Sequence, residues 1–284
     1  MMKLKRRIRR LMPAFLNRTI IIRKEMKKLQ LIQELKCDAA NLPPVSGVDP
    51  KAVFSSCEVE MRWDDSKSRL DMFPIPDSTG GVNPGDRRAI YYLINRFRPS
   101  SVLEIGTHIG ASTLHITEAL FVNQRKDTSH AEFVSVDVAD VNDPISKPWL
   151  QYGATHSPLE MVNKMGFGNF VTFVRDTSLH YLAGCERKFD FMFLDGDHKS
   201  STVYQEVSLA LKLLNKDGLI LLHDYYPDLK PLWSNGAVIP GPFLATERFR
   251  EEGVNLAVLP LGELPWPTKL QSNITSLALL LRSH

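Results

Sequence analysis

The chain contains few cysteines and no long apolar run. Its 284 residues include only Cys37, Cys57 and Cys185, which lie far apart without C-x-x-C spacing. An odd, scattered set of this kind excludes a secreted disulfide scaffold and a zinc ribbon. No stretch of about 18 uncharged apolar residues is present, so we expect no membrane-spanning helix. The apolar stretch after the basic N-terminus is too short for a signal peptide, and we therefore expect a cytoplasmic protein.

Positive charge is concentrated at the N-terminal end. Residues 1–28 hold eleven Lys or Arg and one acid, Glu25, for a net charge of +10, whereas the remainder has a net charge of −7. We call residues 1–28 the basic head. Four apolar residues in the head or just after it are spaced by four, three and three positions, as on one face of a helix: Ile22, Met26, Leu29 and Ile32. A basic amphipathic helix can bind an anionic membrane or nucleic acid. We expect it instead to pack on its own domain or on a second copy of the chain, with membrane contact through residues 1–28 as the alternative.

Two segments rich in proline, 41–50 and 74–81, divide the first third of the chain. We assign residues 1–45 to a basic N-terminal helical segment and residues 46–82 to a linker and cap region. A helix signal follows, because Asn83 can cap a helix and Pro84 fits the first helical position. The pattern predicts a helix over 83–98.

Short apolar strands and helical stretches alternate after residue 98. The strands are predicted over 101–105, 133–138, 170–174, 189–194 and 219–222, and the helices over 111–122, 158–165, 201–214 and 243–252. This alternation predicts an α/β fold with a doubly wound, mostly parallel sheet. Two further runs, 254–260 and 275–281, have no helix between them and predict antiparallel closing strands, which makes seven strands in all.

Polar residues stand directly after the predicted strands, where ligands bind in an open parallel sheet. The first group is a glycine turn over 104–112, between a strand and a helix. His108 stands where the second glycine of a G-x-G-x-x-G motif would be, which argues against a dinucleotide. Acidic residues follow the other strands, at Asp137, Asp195 and Asp224 among others.

Three motifs carry a family resemblance. Val-Leu-Glu-Ile-Gly over 102–106, with Gly110 and Ser112, resembles motif I of class I S-adenosylmethionine-dependent methyltransferases. Residues 189–198 and 217–225 extend the likeness to the catechol-type and macrocin-type O-methyltransferases of the methyltransferase 24 family. The resemblance covers roughly residues 75 to 284. It implies a Rossmann-like methyltransferase fold and a methyltransferase domain over 83–284.

The resemblance also implies a set of cofactor-binding residues. Gly106 and Gly110 would line the methionine moiety, Glu104 would favour its ammonium and support the turn, and Asp137 would bind both ribose hydroxyls. Asp176 and Thr177 would flank the adenine, with a role in capping a helix as the alternative. The full set of cofactor candidates is Glu104, Gly106, Thr107, Gly110, Ser112, Asp137, Asp176, Thr177 and Asp195.

A divalent metal is implied by the same relatives, in which acids after the fourth and fifth strands hold a cation that lowers the pKa of the substrate oxygen. Asp195 and Asp224 fit these positions, and His223 completes the expected ligand set. Because imidazole suits manganese better than magnesium, the identity of the metal, Mg or Mn, stays open. The alternative is that His223 bonds Asp195 or Asp197 and serves as a general base without metal.

Three residues are candidates for that base: His198, Asp197 and His223. A neutral hydroxyl is a poor nucleophile, so accepting its proton assists methyl transfer. His198 is favoured because its ordinary pKa lies near neutral pH. The alternative for His198 is a cap on the helix that follows it.

The leading hypothesis is O-methyl transfer from S-adenosylmethionine to a hydroxyl of a small molecule, phenolic or sugar-bearing, by an enzyme that forms a homo-oligomer. One alternative is a methyltransferase recruited to RNA or an anionic membrane by its basic head. Nucleic acid is disfavoured, since the body of the chain is acidic. The other alternative is a catalytically silent binding or scaffold module of the same fold.

Overall fold

The structure is a computed structural model that describes residues 14–76, 79–125 and 131–283. These residues form nine α-helices and seven strands. The helices are α1 Ala14–Gln30, α2 Pro50–Phe54, α3 Cys57–Leu70, α4 Pro84–Phe97, α5 Ala111–Gln124, α6 Pro158–Lys164, α7 Ser178–Gly184, α8 Ser200–Leu213 and α9 Gly241–Glu251. The strands are β1 Ser101–Ile105, β2 Glu132–Asp137, β3 Val171–Arg175, β4 Phe189–Leu194, β5 Leu214–Leu222, β6 Leu256–Pro260 and β7 Ala278–Arg282.

One seven-stranded sheet forms the centre of the fold, with the strand order β3-β2-β1-β4-β5-β7-β6. The strands from β1 to β5 pair in parallel, whereas β7 runs antiparallel to both β5 and β6. Apolar clusters cover the two faces of this sheet. The predicted α/β fold with a mostly parallel, seven-stranded sheet and an antiparallel closing pair is confirmed.

The start of α4 follows its sequence signal. The side chain of Asn83 accepts a hydrogen bond from the backbone N–H of Asp86, and Pro84 occupies the first turn. The helix ends at Phe97, and Arg98 adopts a left-handed conformation with φ of 48°. Ten residues of α4 are buried, so the helix is anchored on the sheet directly before β1.

The region over 46–82 contains more structure than the sequence predicted. Two helices, α2 and α3, occupy most of it. The buried positions of α3 include Arg62 and Ser66, which bond to Asn95 and to the hydroxyl of Tyr91. Because polar residues occupy the buried face, the sequence lacks the apolar periodicity from which a helix is predicted.

Strand β5 is longer than the predicted segment 219–222 and begins at Leu214. Leu214 pairs with Phe189, and the register shifts before Phe191 pairs with Leu219. Polar residues occupy the shifted part, over 215–217. Because residues of this kind are typical of turns, the sequence did not predict that the strand begins at Leu214.

The basic helix α1 packs on α8 and α9, as expected for a helix docked on its own domain. Leu29 is buried and Ile22 is half-buried, but Met26 is 43% exposed, so the predicted apolar face is wrong at that position. Glu25 turns inward instead. The helix also ends at Gln30, before Ile32. A second copy of the chain remains an untested partner.

The inward position of Glu25 has a specific partner. Its carboxylate accepts a hydrogen bond from the backbone N–H of Ser200 at 3.0 Å, and its backbone carbonyl accepts one from the Ser200 hydroxyl at 2.9 Å. Lys199, the residue before α8, provides no side-chain cap. Glu25 therefore caps α8 from another helix.

In the part of the chain that is described, no helix is both long and apolar enough to cross a bilayer.

This cap predicts a stability effect. Replacing Glu25 with Ala removes the acceptor for the N–H of Ser200 and should lower the free energy of unfolding by about 1–2 kcal/mol. Glu25→Gln keeps an acceptor oxygen and should lose less. Urea denaturation measures both variants. Equal stability of Glu25→Ala and the unchanged chain would show that Glu25 does not cap α8.

Candidate active site

A cavity of about 640 Å³ lies at the carboxyl ends of the central strands. The glycine turn after β1 forms one wall, and the segments after β2, β3 and β4 form the others. Its lining contains nine of the residues predicted to bind the cofactor or act in catalysis: Gly106, Thr107, Ser112, Asp137, Asp176, Thr177, Asp195, Asp197 and His198. The cavity thus brings together most of the polar residues that the sequence placed at strand ends.

Gly106 directly follows β1, and its backbone lies against that of Asp195, which directly follows β4. Its φ is +99°, and a Cβ at this position would lie 2.2 Å from the backbone oxygen of Asp195. Its N–H donates to the carbonyl of Val136 at 2.8 Å. Glycine is required here both for conformation and for space.

Gly110 serves packing rather than the cavity. With φ of +77°, it precedes α5, and a Cβ there would contact Met161 and Pro158 at about 3 Å. It is absent from the described lining of the cavity. Its close contact with Met161 and Pro158 explains the glycine by packing, and the predicted contact with a methionine moiety stays a prediction.

Glu104 lies beneath the turn. It is fully buried, and its carboxyl accepts hydrogen bonds from Ser112, from Thr113 at 2.6 Å and from Ser135 at 2.6 Å. Burial raises the pKa of Glu104 to about 7, although the three hydroxyl groups oppose this shift. Glu104 supports the turn as predicted. That Glu104 favours a cofactor ammonium stays a prediction, with the carboxyl placed beneath the cavity lining.

Asp137 is oriented by two backbone groups. One carboxylate oxygen accepts the N–H of His108 and the other accepts the N–H of Ala139, both at 2.8 Å. His108 adopts a positive φ of 49°, and its ring packs on Tyr152 with a centroid distance of 4.4 Å. The carboxylate is held at the cavity wall with lone pairs left to accept further donors.

Asp176 and Thr177 line the cavity and also begin α7. The hydroxyl of Thr177 accepts the N–H of His180, which makes Thr177 the helix cap. Asp176 accepts a hydrogen bond from the ring of His180 at 2.6 Å, and this bond lowers the pKa of Asp176. Thr177 is therefore the helix cap, and the role of both residues beside an adenine stays a prediction.

His223 is not placed as a metal ligand. Its Nδ1 lies 2.8 Å from Asp195 and its Nε2 lies 3.2 Å from Asp86, so both ring nitrogens are engaged. Burial alone would lower the pKa of His223, but the carboxylates of Asp195 and Asp224 and the hydrogen bonds to Asp195 and Asp86 raise it well above the usual value. Both ring nitrogens therefore face carboxylates, and among the described residues the group of ligand atoms close enough to share a cation contains His198 rather than His223.

Asp86 was missed as a site residue. The sequence marks it only as an acid in the first turn of α4, and no residue pattern links it to His223, which lies 137 positions later. Asp86 is fully buried. Contact between α4 and the end of β5 exists only in the folded chain.

A different triad can hold a metal. Ligand atoms of Asp195, His198 and Asp224 all lie within 4.8 Å of one another. The Nε2 of His198 is 3.7 Å from Asp224, beyond hydrogen-bond distance. The predicted ligands Asp195 and Asp224 thus come together, and His198 takes the place given to His223.

Asp197 is engaged by its neighbours. It accepts hydrogen bonds from Lys199, through both the backbone and the ammonium, and from Thr202 at 3.1 Å. Burial raises the pKa of Asp197, but the bonds from Lys199 and Thr202 outweigh burial and lower it. A carboxylate with a lowered pKa is a weaker base, so His198 is the stronger of the remaining candidates.

The raised pKa of Glu104 predicts a pH-dependent stability. An unfolded glutamate titrates near 4.3, so between about pH 5 and pH 7 the folded chain keeps a proton that the unfolded chain releases. The free energy of unfolding should therefore fall as pH rises through this range, by on the order of 3 kcal/mol for Glu104. Glu104→Gln should remove this part of the slope in urea denaturation.

The exposed Glu186 supplies the control, since Glu186→Gln should leave the slope unchanged. Glu206, whose pKa burial also raises to about 7, contributes a slope of its own that persists in Glu104→Gln. Identical slopes for the unchanged chain and Glu104→Gln would contradict the assignment.

Comparisons with known proteins agree with this geometry. Residues 103–225 match the family model of the methyltransferase 24 domain, described as a methyltransferase domain. The O-methyltransferase hkm8 of Aspergillus hancockii is 26% identical over 175 residues, which cover 62% of this chain and 58% of that protein. The match therefore spans less than two thirds of the curated relative.

Solved structures share the fold. A methyltransferase from Podospora anserina, determined with S-adenosylhomocysteine, has a TM-score of 0.50 and 19% identity, with 81% of this chain and 89% of that chain covered. An O-methyltransferase from Bacillus cereus, also in complex with S-adenosylhomocysteine, has a TM-score of 0.50 and 15% identity, with 81% and 92% covered. Residues 103–225 thus match a methyltransferase domain, and the chain shares the fold of these solved methyltransferases.

Proposed function

We propose that this chain transfers a methyl group from S-adenosylmethionine to a hydroxyl group of a small molecule. One observation carries the proposal: a single cavity joins the glycine turn and Asp137 to the residues Asp195 and His198. The first pair suits the cofactor, and the second suits the activation of an oxygen. The printed names of the Aspergillus and Bacillus relatives, both O-methyltransferases, support the same reaction.

The cofactor half of the site rests on shape and on acceptors. Gly106 and Thr107 leave room for the methionine part beside the end of β1. Asp137, already oriented by two N–H groups, can accept hydrogen bonds from the two ribose hydroxyls. Asp176 and Thr177 line the wall at the end of β3, where they would flank the adenine.

The acceptor half rests on Asp195, His198 and Asp224. Two carboxylates and one imidazole within 4.8 Å fit a divalent cation such as manganese, which accepts both nitrogen and oxygen ligands. When bound, such a cation supplies positive charge that lowers the pKa of the acceptor hydroxyl. His223 lies between Asp86 and Asp195, and its hydrogen bond to Asp195 orients that carboxylate.

The reaction needs alignment more than any further chemistry. The bond between sulfur and the methyl carbon breaks as the carbon–oxygen bond forms, and the hydroxyl proton leaves to a base or to solvent. Holding the two reactants in line supplies most of the rate gain that a site of this kind offers. The glycine turn positions the sulfonium, and the loop over 195–198 positions the oxygen.

A binding experiment tests the cofactor half. Asp137→Ala should weaken S-adenosylhomocysteine binding by about tenfold or more, because a charged acceptor of hydrogen bonds is lost. Isothermal titration calorimetry measures the affinity. Asp140→Ala, three positions further on and exposed, is the matched control and should bind as the unchanged chain does. Equal affinities for all three proteins would remove Asp137 from the ribose site.

A second experiment tests the acceptor half. His198→Ala should weaken manganese binding about tenfold or more, as followed by electron paramagnetic resonance. It should also slow methyl transfer to a panel of phenolic and sugar-bearing hydroxyl compounds about 100-fold. Affinity for S-adenosylhomocysteine should stay unchanged. His156→Ala, a histidine outside the cavity lining, is the control.

The possible results separate the roles of His198. Loss of both manganese binding and turnover identifies a ligand. Slow turnover with manganese affinity intact, or a rate that chelation leaves untouched, contradicts the ligand role and assigns His198 as the base. The absence of methyl transfer to every hydroxyl compound, with cofactor binding intact, would contradict the proposed acceptor class.

A further inference from the structure

We propose that the outward face of α1 binds an anionic lipid bilayer. This face consists of Ile20, Arg23, Lys24 and Lys27, together with Leu31 directly after the helix. The steps between these residues, of one, three and four, place them on one side of a helix. All five are exposed, whereas Glu25 and Leu29 on the opposite side are buried against the domain.

The outward face carries positive charge alone. Glu25 is the only acid between residues 14 and 33, and its carboxylate is turned inward to Ser200 and Lys28. Within the described part of the chain, Arg23, Lys24 and Lys27 form no ion pair. Inward placement of the single acid therefore leaves three uncompensated cations on one surface.

Apolar side chains lie among these cations. Ile20 is 42% exposed and Leu31 is 85% exposed. The neighbouring Ile21 is also 39% exposed, at the border of the face. Lysine and arginine around exposed aliphatic residues form the pattern of an interfacial helix, in which the cations bind headgroups and the aliphatic groups enter the acyl boundary.

Other occupants fit the face less well. The same face of a second copy would bring like charges into contact, which opposes symmetric association through this face. A single-stranded nucleic acid stacks its bases on aromatic side chains, and none occurs between Thr19 and Leu31. An anionic bilayer matches both the charge and the aliphatic groups.

The sequence before α1 increases the same charge. Residues 3–10, whose structure lies outside the described residues, include six Lys or Arg and no acid. Each basic residue near an anionic surface strengthens binding by about fivefold. The hydrogen bonds between Glu25 and Ser200 fix the inward side of α1 on the domain, which keeps the opposite, basic side turned outward.

Vesicle sedimentation with the full chain tests this inference. We expect binding to vesicles of phosphatidylcholine with about 30% phosphatidylserine, weak binding to phosphatidylcholine alone, and an affinity that falls with added salt. Exchanging Arg23, Lys24 and Lys27 for Glu should weaken binding about 100-fold or more. The control exchanges three exposed bases on other surfaces, Lys51, Arg96 and Lys216, for Glu and should retain most of the affinity.

The aliphatic residues have their own test. Ile20→Ser with Leu31→Ser should weaken vesicle binding about tenfold without any change of charge. Thermal melting verifies that the variants fold. If the triple charge variant fails to fold, Leu31→Ser alone decides, because this residue follows the helix and is exposed.

Several results would overturn the inference. These are equal binding to neutral and anionic vesicles, an unchanged affinity of the Arg23, Lys24 and Lys27 variant, and binding to single-stranded RNA without binding to vesicles. A dimer in gel filtration that this variant dissociates would assign the face to a second copy instead. None of these binding and gel-filtration measurements requires methyl transfer activity, so their outcome does not depend on whether the proposed reaction is correct.

Discussion

The paired strands β1 and β4 end side by side, and the active site is organised around the close contact between the two residues that follow them, Gly106 and Asp195. Gly106 lies so close to the carbonyl of Asp195 that no side chain fits between them. The contact turns the chain away from the sheet after β1 and brings α5 above it. It also fixes where Asp195 leaves β4. One close approach of two backbones therefore sets both the glycine wall of the cavity and the position of Asp195.

Buried polar groups hold this turn in shape. Glu104 lies directly below it and joins Ser112, Thr113 and Ser135 in one hydrogen-bonded group. Burying a carboxyl is costly, and the raised pKa of Glu104 reflects that cost. A satisfied buried network also specifies one arrangement over others. Through these hydroxyl groups, Glu104 on β1 holds the first residues of α5 and the neighbouring strand β2 together.

The two histidines near the acids differ because of their surroundings. His223 lies between Asp86 and Asp195 in the interior, where two carboxylates hold it protonated. His198 lies on the loop after β4, 40% exposed, with its Nε2 near Asp224 but not bonded to it. A buried ion cluster thus orients the acids, while the exposed ring stays free to bind. The N-terminal helix supports the same loop from outside, through the cap that Glu25 provides for α8.

Alternation of apolar strands and amphipathic helices determined the α/β class, the seven strands and the polar carboxyl edge, because these patterns are local and repeat with fixed periods. The helix cap at Asn83 and the glycine turn at Gly106 could also be predicted from the sequence, because a cap or a turn is formed by neighbouring residues. The helix α3 and the first part of β5 could not be predicted from the sequence. Polar residues occupy buried positions of α3 and the irregular part of β5, so neither shows the expected apolar spacing. The pairing of Asp86 with His223, the exchange of His198 for His223 among the metal-ligand candidates and the inward turn of Glu25 were decided only by the tertiary structure. Each depends on residues far apart in the chain that come together when helices pack on the sheet. The spacing of apolar residues within one helix or strand does not predict such contacts.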